Sequence, residues 1–395
     1  MLWQRFDDRF YLFHRRLPAV VMGTIDSVGR AMTRRNGSPE APRPGDIRSI
    51  LISRPDHLGD VVMTTAILPA LKRAFPRARI DMLIGSWAKE LVEICPLIDR
   101  HILFDHFFLN RQNGSLPAKC LKSLCQLPGV VRKLRRRRYD LGLELRPFWG
   151  NTIPLMYLAN VRYRAGFPTA GFGFLLHKAG GFSTSRHFVS NIEQLLADLN
   201  IEIDRQDIRP HIEVSSKTRS RFEKTLSRHG LTPGDRLVIF HPGSGRKKAL
   251  WSLEKWARLA DLLQERNDVR VLIAVGPGES QVARNIAVLM GRQPLILANE
   301  ISIPDFVGLV SMAHLLIGLE SFSAHVAAAV DTPCVVIHSG VQAMELWRPQ
   351  GLSIHTLTNP VSCSPCWRTR GCDTMECLQG VEVRDVFDAA EAFLR

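Results

Sequence analysis

The chain has 395 residues, of which 45% are hydrophobic and 23% charged, with 28 glycines and 23 prolines. These values are typical of a globular protein of about two domains, and they exclude a coiled coil, a collagen or a largely disordered chain. The net charge of +14 favours an anionic partner, such as nucleic acid, anionic lipid or a phosphorylated small molecule, although a generally basic surface fits it equally well. No RNA-binding, helix-turn-helix or zinc-finger pattern accompanies the charge, so we expect no nucleic-acid partner.

Residues 1–35 combine seven arginines and three aspartates with many bulky apolar residues. Four of the apolar residues recur at helical spacing: Phe6, Phe10, Phe13 and Leu17. This spacing predicts one face of a helix. Basic and bulky apolar residues on one helix suit a membrane interface, and a helix packed on its own domain fits the pattern equally well. Residues 36–46 read NGSPEAPRPGD and predict a linker, so we interpret residues 1–46 as a basic amphipathic arm and linker.

The sequence predicts neither a secretory signal nor a membrane span. Two aspartates precede any long apolar stretch at the start of the chain. The best candidate span, residues 147–161, has 15 residues including two prolines, which is too short and too broken for a bilayer core of about 30 Å. We therefore expect a cytoplasmic location.

From residue 47 onward, short apolar runs alternate with helical patterns, which predicts βαβ units and a parallel sheet. In the first half, a helix is predicted at 61–75 and strands at 47–53, 78–84, 101–104 and 139–145. The alternation restarts with helices at 253–265, 279–290 and 324–330 and strands at 237–240, 269–275, 294–297, 315–318 and 334–338. We predict an α/β protein with two Rossmann-like domains that face a central cleft. Their predicted bounds are 47–212 and 213–380, followed by a C-terminal helix over 381–395.

Ligands of open parallel sheets bind beyond the carboxyl ends of the strands, and three loops there carry polar residues. The first loop, RPDHLGD, supplies five candidates: Arg54, Asp56, His57, Gly59 and Asp60. Gly59 permits a tight turn, and a carboxylate at Asp60 can accept a proton from an attacking hydroxyl. An aspartate at a helix start more often caps the helix amides, so this alternative stays open.

The second loop, HPGSGRKK over residues 241–248, combines glycines and a serine with three consecutive cations. This composition suits a phosphate group, although the spacing is not that of a P-loop and a flexible basic loop is the alternative. The candidate ligands are Ser244, Lys247 and Lys248.

The third loop, GLESFSAH over residues 318–325, follows a predicted strand and opens a helix, where backbone amides can bind an anion. Its candidates are Glu320, Ser321, Ser323 and His325. Ser321 as a plain helix cap and His325 as a packing residue are the alternatives.

Four of the eight cysteines cluster within residues 363–377: Cys363, Cys366, Cys372 and Cys377. The spacing C-x2-C-x5-C-x4-C allows a structural zinc site, and free thiols or one local disulfide are the alternatives. We assign no metal or other cofactor to catalysis.

With these loops in this order, the sequence resembles that of glycosyltransferase family 9, the ADP-heptose:lipopolysaccharide heptosyltransferases, over residues 48–395. The matching segments, in order, are DHLGDVVMTTAILPAL, HPGSGRKKALWSLEKWARLADLL, GLESFSAHVAAAVDTP and CSPCW. The resemblance implies a GT-B fold and inverting transfer of a heptose from ADP-heptose to a lipopolysaccharide-core or related surface glycan. It also implies two partners, a nucleotide-sugar donor and an anionic glycolipid acceptor, and a peripheral contact with the cytoplasmic face of the inner membrane.

The family motifs also assign roles to residues of this chain. Asp60 matches the family's proposed general base, and Lys247 or Lys248 lies near its phosphate-binding lysine. The residues that match its donor site are Glu320, Ser321 and His325.

Two residues of the third loop depart from the family pattern. Glu320 stands where the family has aspartate, and Phe322 stands where it has glycine. A phenylalanine occupies space that a glycine would leave for a pyrophosphate. The alternative is therefore a degenerate member that binds nucleotide sugar or glycan without catalysis.

Overall fold

A computed structural model describes residues 2–6, 9–13, 16–33, 44–110, 114–201, 204, 208–246, 248–276, 278–297, 301–368 and 371–395. The chain divides into two compact units, Met1–Ile208 and Arg209–Arg395. Within the described ranges, no helix is both long enough and apolar enough to cross a bilayer.

The first unit opens with an antiparallel hairpin of β1 (Leu2–Phe6) and β2 (Arg9–Phe13), followed by α1 (Arg16–Thr33). The predicted helix through Phe6, Phe10, Phe13 and Leu17 is therefore wrong: the first three lie in strands, and α1 contains only the last. Aromatic residues favour strands, and their helical spacing is a coincidence here, because the count runs through two strands and then into a helix. Of the predicted linker, residues 36–43 lie outside the described ranges, and Pro44–Asp46 form a 3-10 turn.

A six-stranded parallel sheet forms the body of the first unit, with strand order β5-β4-β3-β6-β7-β8. Its strands are β3 (Ser49–Ser53), β4 (Arg79–Ile84), β5 (Arg100–Leu103), β6 (Leu141–Glu144), β7 (Tyr163–Gly166) and β8 (Lys178–Ala179). Its helices are α2 (Leu58–Thr65), α3 (Leu68–Ala74), α4 (Lys89–Glu93), α5 (Leu116–Arg137), α6 (Ile153–Leu158) and α7 (Phe188–Ala197). The four predicted strands are confirmed. The single helix predicted at 61–75 is two helices, and the proline at position 69 falls in the first turn of the second, where it is tolerated.

The second unit holds a matching sheet with strand order β11-β10-β9-β12-β13-β14. Its strands are β9 (Arg236–His241), β10 (Val269–Ala274), β11 (Leu295–Leu297), β12 (Leu315–Leu319), β13 (Cys334–Ile337) and β14 (Ile354–Leu357). Its helices are α8 (Ser216–Arg228), α9 (Leu253–Leu263), α10 (Ser280–Leu289), α11 (Ile303–Val310), α12 (Phe322–Ala329), α13 (Met344–Trp347), α14 (Glu376–Gln379) and α15 (Val383–Leu394). The predicted alternation of strands and helices is confirmed in this unit too.

Strand register decides which loops become neighbours. The central strands read as continuous apolar runs because helices cover both faces of a parallel sheet. In the first unit Ser53 pairs with Glu144, so the loop after β3 lies beside the loop after β6. In the second unit His241 pairs with Gly318, so the second and third polar loops of the sequence also adjoin.

Candidate active site

The carboxylate of Asp60 belongs to the first turn of α2, which follows β3 after a four-residue loop. His57 occupies the helix N-cap and makes no side-chain capping bond, and Gly59 is the second residue of the helix. Asp60 does not cap the amides: its Oδ1 accepts a hydrogen bond of 3.1 Å from Arg54 Nη2. The alternative of a capping aspartate is therefore wrong.

The guanidinium of Arg54 is fully buried and held from several sides. Its Nη1 donates to the carbonyl oxygen of Leu145 at 2.5 Å and lies 3.4 Å from Asp56 Oδ2. The ring of Phe188 covers the guanidinium carbon at 4.2 Å, a cation–π arrangement. Arg54 therefore offers Asp60 a donor at a fixed position.

Asp56 neutralises the cations of this cluster. Its carboxylate pairs with Arg54 and with Arg146, and its Oδ1 accepts a hydrogen bond of 3.0 Å from the backbone amide of His57. Burial alone would raise the pKa of Asp56, but Arg146 and Arg54 outweigh burial and hold the pKa below its usual range. Asp56 is therefore a permanent anion.

The surroundings of Asp60 shift its pKa in the opposite direction. Burial raises the pKa of Asp60 and the anionic Asp56 raises it further, to about 7, against the opposing effect of Arg54 and Arg146. Its side chain keeps 15% of its surface exposed. A carboxyl group that titrates near neutrality and still reaches solvent is suited to take a proton from a bound hydroxyl.

Two residues of the cluster, Arg146 and Glu144, were not among the candidates predicted from the sequence. Arg146 follows β6, and its Nε donates to the carbonyl oxygen of Trp149 at 2.9 Å. Glu144 ends β6, is fully buried, and accepts hydrogen bonds from the amide and hydroxyl of Thr152 at 2.6 and 2.7 Å. Burial raises the pKa of Glu144 to about 7. The signal was available, since both stand at the carboxyl end of a predicted strand.

In the second unit, the loop after β9 wraps around the carboxylate of Glu279. This carboxylate accepts a hydrogen bond of 3.0 Å from the amide of Gly276 and another from the backbone of Ser244. A Cβ atom at Gly243 would lie 2.0 Å from Glu279 Oε2, so a side chain at this position would displace the carboxylate. The predicted anion-binding loop thus holds an anion of its own chain.

Glu320 joins the second and third loops. Its Oε1 accepts a hydrogen bond of 2.5 Å from Arg246 Nη1 and another from the hydroxyl of Ser339, and His338 Nε2 lies 2.6 Å from its Oε2. Burial raises the pKa of Glu320, but His338 and Arg246 outweigh burial and lower the pKa to about 2. Arg246, which the sequence interpretation left out of the candidates, is therefore the cation that links the two loops.

The other donor-side candidates lie in the same region of this unit. Lys248 pairs with the exposed carboxylate of Asp373, whereas Lys247 lies outside the described residues. At the start of α12, the hydroxyls of Ser321 and Ser323 lie 2.9 Å apart, and His325 is buried in the same helix.

Phe322, which replaces the family's glycine, packs its ring against Phe306 of α11 at a centroid distance of 5.9 Å. Phe306 in turn packs against His241, which ends β9, at 5.4 Å. The phenylalanine that departs from the family pattern therefore belongs to an aromatic row beside the glycine loop.

The cysteine cluster does not form the predicted zinc site. Among the residues that the structure describes, no three histidine, cysteine or carboxylate side chains converge to hold a metal ion. Cys372 Sγ instead lies 3.9 Å from Met375 Sδ, while Cys363 is exposed and Cys377 is buried. The zinc prediction is therefore unsupported.

Comparison with known proteins gives this architecture its class. The model of glycosyltransferase family 9 (heptosyltransferase) matches residues 129–376, more than half of the chain. Lipopolysaccharide heptosyltransferase 3 of Escherichia coli is 24% identical over 304 residues, which cover 74% of this chain and 83% of that protein.

Two solved structures share the fold. The family 9 glycosyltransferase from Veillonella parvula has a TM-score of 0.75 and 22% identity, covering 88% of this chain and 97% of that one. The E. coli ADP-heptose lipopolysaccharide heptosyltransferase II has a TM-score of 0.68 and 19% identity, covering 88% and 98%. The two Rossmann-like units are those of the GT-B class of glycosyltransferases. The chain belongs to glycosyltransferase family 9 and is an enzyme of that type.

Proposed function

We propose that this enzyme transfers a heptose, or a related sugar, from a nucleotide-diphosphate donor to a lipopolysaccharide-core or related surface-glycan acceptor. ADP-heptose is the proposed donor, and the transfer inverts the anomeric centre. Support comes from the family, from relatives that carry the name lipopolysaccharide heptosyltransferase, and above all from the Asp60 carboxylate held by buried Arg54.

The reaction needs a base for the acceptor. The acceptor oxygen attacks the anomeric carbon, the bond from that carbon to the diphosphate oxygen breaks, and the hydroxyl proton passes to Asp60. A pKa near 7 leaves a useful share of Asp60 ionised at neutral pH, while its proton affinity stays far above that of an ordinary aspartate. The first-loop residues Arg54, Asp56, His57 and Gly59 form the acceptor side in this proposal.

The second unit supplies charge stabilisation for the departing diphosphate. Ser244, with Lys247 or Lys248, is the proposed phosphate ligand of the glycine loop, and the start of α12 at Ser321 and Ser323 adds backbone amides. Glu320 and His325 complete the proposed donor site. Cations and oriented amides stabilise the leaving group in this proposal without a metal ion.

The acceptor determines where the enzyme works. A phosphorylated glycolipid is anionic, which suits a protein of net charge +14. We place the enzyme in the cytoplasm, in peripheral contact with the inner membrane.

A binding protein without catalysis is the second candidate. Its specific support is that Arg246, His338 and Ser339 already saturate Glu320, and that Phe322 adds a ring where the family has glycine. In this case the chain binds a nucleotide sugar or a glycan, transfers no sugar and releases no nucleoside diphosphate.

A donor panel separates the two candidates. Several nucleotide sugars, ADP-heptose among them, are titrated by calorimetry and then incubated with heptose-deficient lipopolysaccharide core. We expect ADP release only with acceptor present, and a product whose anomeric configuration, read by NMR, is opposite to that of the donor. Tight binding without ADP release from any pair would contradict the enzyme and favour the binding protein.

A further inference from the structure

Helix α1 carries an uncharged apolar stripe on its outer side. Six exposed side chains form it: Leu17, Val20, Val21, Ile25, Val28 and Met32. At 100° per residue they fall within an arc of about 140° and extend over about 22 Å of helix. The intervening exposed positions hold Thr24 and Ala31, so no charge interrupts the stripe. An exposed apolar surface of this length marks an interaction site.

The opposite face of α1 fixes the helix to the first unit. Its buried residues are Ala19, Met22, Gly23, Asp26 and Gly29. A Cβ atom at Gly29 would lie 2.5 Å from the ring of Phe174, so the helix approaches that ring as closely as glycine allows. Asp26 accepts a hydrogen bond of 2.7 Å from the hydroxyl of Tyr11. The stripe is therefore presented by a packed element of the unit.

The attachment also connects α1 to the loops around Asp60. Met22 belongs to an apolar cluster against which Trp149 packs, and the carbonyl oxygen of Trp149 accepts the hydrogen bond from Arg146. Arg146 in turn pairs with Asp56. The packed face of α1 is therefore connected, through Trp149 and Arg146, to the cluster that surrounds Asp56.

Charge favours one occupant over another. The exposed ionic residues of α1 are Arg16 and Arg30, and its one acidic residue, Asp26, is buried. Long arginine side chains beside an apolar stripe match an anionic lipid surface, whose headgroups attract cations while the apolar side chains enter the acyl boundary. A second copy would bring the same arginines together with no exposed carboxylate on the helix to pair with them.

We propose that the outer face of α1 docks the first unit on an anionic lipid bilayer and so holds the Asp60 side of that unit toward a lipid-linked acceptor. The inference deepens the proposed function, because it assumes that the acceptor is a glycolipid. Docking itself needs neither sugar nor nucleotide and is measured separately.

Vesicle flotation with the full chain tests the proposal. The vesicles are phosphatidylcholine with or without phosphatidylglycerol, and the test variant carries Val21→Glu and Val28→Glu. Its matched control carries Val288→Glu and Leu352→Glu, two apolar residues of the second unit that are 82% and 96% exposed. We expect the wild type and the control to float with phosphatidylglycerol vesicles, and the test variant to partition about 100-fold less.

Three further readouts decide the interpretation. Replacing Arg16 and Arg30 by glutamine should weaken binding to phosphatidylglycerol vesicles about 30-fold. The variant with Val21→Glu and Val28→Glu, here called the stripe variant, should lose sugar transfer to an acceptor embedded in vesicles. It should keep sugar transfer to the delipidated core oligosaccharide. Undiminished flotation of the stripe variant would overturn the proposal. So would a wild type that does not float and is a dimer by ultracentrifugation, with the stripe variant a monomer.

Discussion

Arg54 Nη2 donates a hydrogen bond of 3.1 Å to Asp60 Oδ1, and the two side chains differ in their exposure to solvent. The arginine side chain is completely buried, whereas the aspartate keeps 15% of its surface exposed. The protein therefore fixes one oxygen of the carboxylate from within while the group stays accessible from outside. This arrangement suits the proposed role of Asp60 as the base that accepts the hydroxyl proton.

The activity of the wild-type enzyme should depend on the ionisation of Asp60. The proposed base would act only when deprotonated, and the pKa of Asp60 is raised to about 7, so kcat/KM should fall as the pH drops below about 7. The expected decrease is about ten-fold per pH unit well below that value. Initial rates of ADP release across the pH range measure it. A profile that stays flat down to about pH 5 would mean that no such group controls the rate.

Arg54→Met should shift the low-pH limb of this profile, the range in which kcat/KM falls with decreasing pH. Removing the cation removes an interaction that favours the ionised carboxylate, so the apparent pKa should rise and the limb should shift to higher pH. Arg54→Lys keeps the charge and should shift the limb less, although it loses the planar fork that reaches Asp60 and Leu145 together. If activity falls equally at every pH, Arg54 supports structure only. Thermal melting of both variants controls for stability.

Lys248 offers a test of the donor side. It pairs with Asp373, whose side chain is 91% exposed, so this carboxylate would compete with a phosphate for the lysine. Asp373→Asn should tighten ADP binding by up to about five-fold, the value of a surface ion pair. Lys248→Met should weaken ADP binding about ten-fold or more, as measured by calorimetry. Equal ADP affinity in Lys248→Met and the wild type would show that Lys248 is not the phosphate ligand, and Lys247 would be the remaining candidate.

Gly243→Ala should destabilise the second unit. The new methyl group would collide with Glu279 and force its carboxylate away from the amides of Gly276 and Ser244. The expected loss in free energy of unfolding is about 1–3 kcal/mol, measured by urea titration. Gly234→Ala is the matched control, because a Cβ there meets no atom within 4 Å. It should change stability by less than about 0.5 kcal/mol, and a similar loss in both variants would contradict the steric explanation.

Much of the fold was predictable because local patterns carry it. Buried parallel strands read as apolar runs, and the residues after them identified the loop around Asp60. The pairing of Asp56 with Arg146 was harder to predict, because the register of β3 against β6 brings together residues about ninety positions apart. The N-terminal hairpin was missed since its aromatic spacing fits a helix equally well.

The most direct test of the account is the rate of heptose transfer by Asp60→Asn with ADP-heptose and heptose-deficient core. Asp46→Asn, an exposed aspartate of the same unit, is the matched control. Asp60→Asn should lose about 10²–10⁴-fold in kcat, with ADP affinity unchanged by calorimetry and full activity in the control. Transfer by Asp60→Asn at the wild-type rate would contradict it.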